Sequence, residues 1–258
     1  MKPKILVIRK MSSLEYYYNS NHKSKELKEG QKENDSTVEK ILNILNRKAK
    51  TKVITRRELS ENIVNNFNYV FSAGGDGTVI AVAAYNKDRP QLNLRTDKKS
   101  NGNLCHKNIK LAINKFLNKD YEIENWTRQD VYLDGKFVGR ALNETAIGED
   151  MNFTKMAGYN LKTNEKQDFN RNSGLIIVTG TGSTGWPNAF KPFSKDSNYF
   201  KLLSILPCEG REKDKADYFK IEYKGHEGKF ALDTITYDFP RDSTLEIKLS
   251  ENPLKVIK

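Results

Sequence analysis

Apolar and polar positions follow two rhythms along this chain, and the change falls near Asp120. Before it, short continuous apolar runs alternate with stretches of helical spacing. Lys4-Ile5-Leu6-Val7-Ile8, Lys52-Val53-Ile54-Thr55, Tyr69-Val70-Phe71 and Gln91-Leu92-Asn93-Leu94 read as strands, the first of the fully buried kind. Val38, Ile41, Leu42 and Leu45 fall at i, i+3, i+4 and i+7, which predicts a helix with one buried face. Ser36-Thr37-Val38-Glu39, in front of it, has the form of a capping box and predicts the helix start. Residues Ser20 to Asn34 are polar and read as an exposed loop or a solvated helix. Ile109, Ala112, Ile113, Phe116 and Leu117 repeat the helical spacing.

Beyond Asp120 the period shortens. Arg128 to Leu133 and Lys136 to Leu142 flank Asp134-Gly135, a strong hairpin signal because that dipeptide accepts positive φ. Further strands are expected at Gly158–Lys162, Leu175–Val178, Phe219–Tyr223, Lys229–Leu232 and Leu245–Leu249, and a helical stretch near Asn188 to Leu206. The expectation is therefore an α/β plus β fold. Residues 1–120 form a Rossmann-like parallel α/β layer, and residues 121–258 a mainly β, sandwich-like domain. Ligands of the first domain belong at the carboxyl ends of its strands.

Composition narrows the setting. The chain has 258 residues, 37% hydrophobic and 30% charged, and a net charge of +11. No apolar run approaches the ~20 residues that span a bilayer, and the N-terminus reads neither as a secretory signal nor as an amphipathic leader. Cys105 and Cys208 are the only cysteines, too few for a disulfide framework, so a reducing intracellular compartment is expected. His22, His106 and His226 show no metal-ligand spacing. The basic charge suits nucleic acid or polyanionic small ligands such as nucleotides. The lysines are interleaved with acids, as in Lys23-Ser24-Lys25-Glu26-Leu27-Lys28-Glu29, and no aromatic-basic stripe accompanies them. The expectation is no nucleic-acid partner and no membrane.

Three clusters carry chemistry. The first is Gly74-Gly75-Asp76-Gly77-Thr78, between the strand ending at Phe71 and the helix-prone run Val79 to Ala84. Glycines permit positive φ and close approach to a ligand, and free N–H groups at a helix start bind phosphate. A carboxylate inside such a cradle repels phosphate unless it takes a proton from an attacking hydroxyl or holds a metal, so Asp76 points to phosphoryl transfer. The alternative is a tight turn with Asp76 as helix N-cap. The second cluster, Ala141-Leu142-Asn143-Glu144, sets an amide beside a carboxylate, a pair able to hold a ribose diol or an adenine edge. The third, Thr179-Gly180-Thr181-Gly182-Ser183-Thr184-Gly185-Trp186, follows a buried strand with a polar, closely approachable loop and a stacking surface.

In this order the clusters resemble the NAD kinase family, and most closely its mitochondrial type. The likeness includes Thr96-Asp97 with Gly102-Asn103-Leu104-Cys105, then Ile147-Gly148-Glu149, then Ser173-Gly174-Leu175. Ser173 and Gly185-Trp186 stand where bacterial and cytosolic members carry Asp and Ala-Tyr, which favours the mitochondrial type. Gly180 replaces a common proline, and Arg95 a common asparagine. Asp233-Thr234 resembles the family's late Asp-Gly strand, whereas no counterpart of its Pro-His return segment is read between Pro187 and Tyr218.

The resemblance implies transfer of the γ-phosphoryl of ATP to the 2′-hydroxyl of the adenosine ribose of NAD. By it, Asp76 is the base or orienting group, and the N–H groups around Gly74, Gly75, Gly77 and Thr78 bind phosphates. Asn143 and Glu144 contact NAD near its adenosine end. Thr181, Ser183, Thr184 and Trp186 belong to the loop lining the adenine pocket, and Ser173 lies near the nicotinamide. It further implies Mg²⁺ with ATP, a homodimer or higher homo-oligomer, and the mitochondrial matrix, or the cytoplasm where no leader is present. The rival readings are a lipid or small-molecule kinase sharing the Gly-Gly-Asp-Gly turn, a binding-only relative holding NAD(P), and a basic nucleic-acid binder.

Overall fold

A computed structural model describes residues 2–11, 25–96, 102–149, 156–164, 167–185, 191–205 and 215–258. The chain divides into two compact units, Met1–Glu124 with Leu254–Lys258, and Asn125–Pro253.

The first unit is built on one sheet. Its strands are β1 (Lys4–Arg9), β2 (Lys50–Thr55), β3 (Tyr69–Gly74), β4 (Gln91–Arg95), β5 (Ile123–Trp126) and β18 (Leu254–Ile257), in the order β2-β1-β3-β4-β18-β5. The pairs β1/β2, β1/β3, β3/β4 and β4/β18 are parallel. Helices α1 (Lys25–Leu45), α2 (Glu61–Asn65), α3 (Asp76–Tyr85) and α4 (Ile109–Asn118) accompany it. The alternation in β1 shows why both faces need cover. Ile5 and Val7 pack with Ile41 and Leu45 of α1 and Ile113 and Phe116 of α4. Leu6 and Ile8 pack with Val64 of α2 and Ala81 and Val82 of α3. A strand apolar on both faces is the sequence mark of a parallel sheet covered on two sides.

Helix α1 departs from expectation. It runs through Ser36-Thr37-Val38-Glu39 instead of starting there. Ser36 is exposed, and the Thr37 hydroxyl donates to the Glu33 carbonyl four residues back, at 2.8 Å. The buried stripe continues upstream at Asn34, which is 3% exposed. A polar residue in that stripe hid the first turns from a reading of apolar spacing.

The second unit holds two antiparallel sheets. One runs β10-β9-β14-β17-β6-β7, from β6 (Gln129–Leu133), β7 (Lys136–Ala141), β9 (Ala157–Lys162), β10 (Gln167–Asn172), β14 (Tyr218–Tyr223) and β17 (Thr244–Leu249). The other runs β13-β12-β11-β8-β15-β16, from β8 (Glu144–Glu149), β11 (Gly174–Val178), β12 (Phe200–Ile205), β13 (Lys215–Ala216), β15 (Gly228–Leu232) and β16 (Ile235–Phe239). Their inner faces share one core. Val131, Leu161, Phe219 and Ile247 of the first sheet meet Ile147, Ile177, Phe200 and Phe230 of the second. The Asp134-Gly135 turn has φ of 49° and 76°, as the hairpin signal required. Arg128, buried, donates its Nε to the Asn252 carbonyl at 2.8 Å and joins the beginning of this unit to its end.

The helix expected near Asn188 to Leu206 is not formed among its described residues. Phe200–Ile205 is instead strand β12, paired antiparallel with β11. A short apolar run does not distinguish strand from helix by its period; here the open edge of β11 decides it. Strands β12 and β13 thus lie in the stretch where the sequence shows no counterpart of the family's return segment.

Candidate active site

In the first unit, β3 delivers the chain to the Gly-Gly-Asp-Gly turn. Gly75 is the N-cap of α3, with φ −114° and ψ −167°, and Asp76 is the first helical residue. One sequence expectation and the alternative reading of Asp76 both change here. Asp76 is not the cap, and Gly135 is the glycine with positive φ among the described residues. The turn glycines serve space rather than handedness. A Cβ on Gly74 would collide with the Thr78 side chain, whereas one on Gly77 would meet nothing within 4 Å. Thr78 is buried, and its N–H turns back on the Gly75 carbonyl at 2.9 Å. Near the start of α3, N–H groups without helical partners accompany a positive dipole end.

The Asp76 carboxylate is held from the side. Its Oδ1 accepts the Leu104 N–H at 2.9 Å and its Oδ2 the Asn103 N–H at 3.1 Å, with Cys105 Sγ at 3.9 Å from Oδ1. An ionised carboxylate offers about four acceptor sites, so each oxygen keeps capacity for a hydroxyl or a metal-bound water. The segment carrying Asn103 and Leu104 is itself fixed to β4. The His106 N–H reaches Asn93 O at 2.8 Å, and the Arg95 N–H reaches His106 O at 3.1 Å. Arg95, in place of the family's usual asparagine, lies against Gly102, where a Cβ would overlap its side chain.

Below the turn lies a polar chain that the sequence did not announce. Ser72 Oγ donates to Asn93 Oδ1 at 2.8 Å, as does Gln91 Nε2 at 2.8 Å, and Asn86 Nδ2 reaches Gln91 Oε1 at 3.2 Å. Ser72, Gln91 and Asn93 are all fully buried. Gln91 Nε2 also lies 3.4 Å from Val79 O, tying α3 to the sheet. On the other side, Thr96 N–H reaches Gly74 O at 3.1 Å, and Thr96 Oγ1 donates to Asn34 Oδ1 of α1 at 2.6 Å. Asp97 lies outside the described residues.

In the second unit, three strand ends converge. Asn143 and Glu144 stand at the start of β8, half-buried. The loop after β11 crosses beside them. Thr179 N–H reaches Asn143 O at 2.9 Å, and Thr179 Oγ1 donates to Leu142 O at 2.6 Å. Gly182 sits so close to the Asn143 backbone that a Cβ would overlap it. Ser183 is buried and committed, donating to Gly180 O at 2.7 Å and accepting the Phe193 N–H at 3.2 Å. Thr184 donates to Thr181 O at 2.9 Å. Two atoms stand apart: Asn143 Oδ1 and Thr181 Oγ1 are buried without a hydrogen-bond partner among the described residues. Ser173, 7% exposed, lies between β10 and β11, with its N–H on Ile205 O at 2.9 Å. Trp186 lies outside the described residues.

The third strand end supplies Asp233, in the turn between β15 and β16 with φ of 53°. Its Oδ2 accepts the Leu142 N–H at 2.8 Å, and its Oδ1 accepts those of Asn143 and Glu144 at 2.8 and 3.1 Å. Burial pushes the Asp233 carboxyl up to about 6, opposed by these three hydrogen bonds. The sequence signal was slight, an Asp in a two-residue hairpin turn. Among the described residues no group of three or more His, Cys, Asp or Glu could hold a metal, and no helix is long and apolar enough to cross a membrane.

No family model matches the chain. The NAD kinase of Picrophilus torridus is 25% identical over 237 residues, covering 83% of this chain and 82% of that relative. The mitochondrial NAD kinase 2 of Xenopus tropicalis is 25% identical over 221 residues, 60% of this chain and about half, 51%, of that relative's length. Among solved structures, an Archaeoglobus fulgidus NAD kinase in complex with ATP superposes with a TM-score of 0.74 at 21% identity, covering 99% of this chain and 93% of the other. A yeast NADH kinase complexed with NADH gives 0.78 at 14% identity, covering 99% and 83%. The architecture, a parallel α/β unit and a two-sheet β unit, is thus the fold of NAD kinases. The curated relatives that this chain resembles are named NAD kinases, and the likeness in fold extends over 99% of its length.

Proposed function

We propose that this chain phosphorylates NAD, moving the γ-phosphoryl of ATP to the 2′-hydroxyl of the adenosine ribose. The observation that carries this reading is the bracing of Asp76. Its carboxylate is aligned by two backbone N–H groups beside the open surface of Gly77, at the electropositive start of a helix. Such a group orients a hydroxyl and receives its proton as the phosphoryl arrives, while N–H groups around Gly74, Gly75, Gly77 and Thr78 bind phosphate. Phosphoryl transfer needs positioning and charge stabilisation more than a covalent nucleophile.

The second unit supplies the dinucleotide contacts in this reading. Asn143 Oδ1 and Thr181 Oγ1, buried without partners among the described residues, are acceptors whose desolvation is compensated when a ligand donates to them. Glu144 offers a carboxylate to a ribose diol. Ser183 and Thr184 act through loop shape, since their hydroxyls bond within it. Ser173 and Trp186 complete the proposed set. ATP as donor and NAD as acceptor are the substrates. One carboxylate fits an Mg²⁺ that arrives on phosphates, because that ion keeps several waters and takes one or two protein carboxylates. When bound, the ion neutralises phosphate charge as transfer proceeds. A mitochondrial setting and a homodimer belong to the same proposal.

A coupled assay tests it. Protein, ATP, Mg²⁺ and NAD⁺ are incubated, and NADP⁺ is read with an NADP-specific dehydrogenase, with Asp76→Asn in parallel. Product from the unaltered chain and its loss in the variant support the reading. Calorimetric binding of NAD⁺ with no product would replace it with a binding-only relative.

A further inference from the structure

We propose that Asp233 is a positioning residue for dinucleotide binding: it fixes the Leu142–Glu144 turn, and through that turn the Thr179–Thr184 loop, in the shape that receives NAD. The inference rests on the proposed role of the second unit in holding the dinucleotide.

The geometry is specific. Three consecutive backbone N–H groups, of Leu142, Asn143 and Glu144, point at one carboxylate some ninety positions further along the chain. Asp233 in turn donates its own N–H to Glu144 O at 3.0 Å, so the hairpin tip and the start of β8 are locked in both directions. Both anchors of the following loop start from this turn. Thr179 N–H is bonded to Asn143 O, and Thr179 Oγ1 to Leu142 O. A shift of the turn therefore moves the two unpartnered acceptors, Asn143 Oδ1 and Thr181 Oγ1, together. Both Asp233 oxygens are occupied by the turn itself, so the residue acts by fixing the turn and the loop anchored on it.

A stability lock of the ordinary kind would not be built this way. Burial raises the carboxyl to about 6, so at neutral pH the folded chain bears a desolvated charge. Among the described residues no cation pairs with it. The φ of 53° at Asp233 is ordinary for an Asp in a two-residue hairpin turn and adds no strain. A desolvated carboxylate whose three acceptor bonds all hold one candidate binding turn marks a site kept for its geometry.

The isosteric Asp233→Asn variant separates the two roles. Its amide oxygen still accepts from Asn143 and Glu144, but its NH₂ faces the Leu142 N–H, donor against donor, while the buried charge is gone. We expect the melting temperature to be kept or raised. We expect the KM and the calorimetric dissociation constant for NAD⁺ to rise about tenfold, with kcat within about threefold, the signature of lost binding rather than lost chemistry. Unchanged NAD⁺ affinity would overturn the proposal. So would a lowered melting temperature with kcat and both substrate KM values worsening together, which a structural lock predicts. If this variant does not fold, Asp233→Ser, which also removes the charge, is read by the same split. Wild-type protein that neither binds nor phosphorylates NAD⁺ would overturn the functional reading and this inference with it, a result distinct from an active enzyme indifferent to residue 233.

Discussion

Asp76 and Leu104, 28 positions apart, are joined at 2.9 Å by a backbone N–H donated to Oδ1. The second oxygen is engaged by Asn103 in the same way. The carboxylate at the start of α3 is therefore an oriented acceptor, with the fixed donors of the 103–105 segment on one side. That orientation, and not the presence of an acid in a glycine turn, is what the proposed role of Asp76 rests on.

Asp76→Asn should lower turnover by ~10²–10⁴, the range for a general base, because an amide cannot take the proton. The same change places an NH₂ against a backbone N–H, at a cost of about 1–2 kcal/mol. The coupled assay and a denaturant melt measure the two effects separately. Full turnover in the variant would remove Asp76 from the chemistry.

The glycines of the turn should divide. Gly74→Ala forces a methyl onto the Thr78 side chain, and overpacking of this kind costs about 1–3 kcal/mol. Gly77→Ala meets nothing within 4 Å in the chain itself, so the melting temperature should hold. If phosphate passes over Gly77, the KM for ATP rises in that variant. An unaltered KM would mean the ligand stays clear of this surface.

Thr181 is 1% exposed, with its hydroxyl oxygen unpartnered among the described residues. Thr181→Val removes a desolvated polar atom while keeping the shape, so the free protein should gain up to about 1–3 kcal/mol. The affinity for NAD⁺ should fall at the same time. Calorimetry paired with a melt checks both signs, and a variant that loses stability instead would show the hydroxyl already satisfied.

Asp233 predicts a pH dependence with a definite sign. Its carboxyl moves from 3.8 to about 6 on folding, so the folded chain binds the proton more tightly than the unfolded one. Its contribution is fully present below pH 3.8 and is lost as pH rises through about 6. At about 1.4 kcal/mol for each tenfold change in proton affinity, the rise corresponds to about 3 kcal/mol. Relative to the unaltered chain, Asp233→Asn should thus gain roughly that much stability between about pH 4 and about pH 7.5, measured by urea unfolding across the range. A flat difference would place the carboxyl in a solvated setting.

Much of this was legible because it is local. The buried runs at Ile5–Ile8 and Leu175–Val178, the helical spacing from Ile109 to Phe116, and the Asp134-Gly135 turn each declare their conformation within a few residues. The order of the glycine turn, the Asn-Glu pair and the Thr-Gly-Ser-Thr loop was equally open to reading. Local signals also misled. The capping box at Ser36–Glu39 lies inside α1, since Asn34, tied to Thr96, extends the buried face upstream. The run at Phe200–Ile205 has no period that separates strand from helix, and its pairing with β11 settles the matter.

The sequence by itself determined the local conformations and the residue types of the chemistry: strand, glycine turn and acid in the first unit, amide and hydroxyls in the second. Only the tertiary structure decided the partners. It returned Leu254–Ile257 to the first unit's sheet beside β4. It set Asn103 and Leu104 against Asp76, and Asp233 beneath Asn143. The reason is physical. Backbone torsions and side-chain period are fixed by neighbours along the chain and repeat with it. A carboxylate capturing an N–H some ninety residues away leaves no period at all, because its partner is chosen by where the packed strands end.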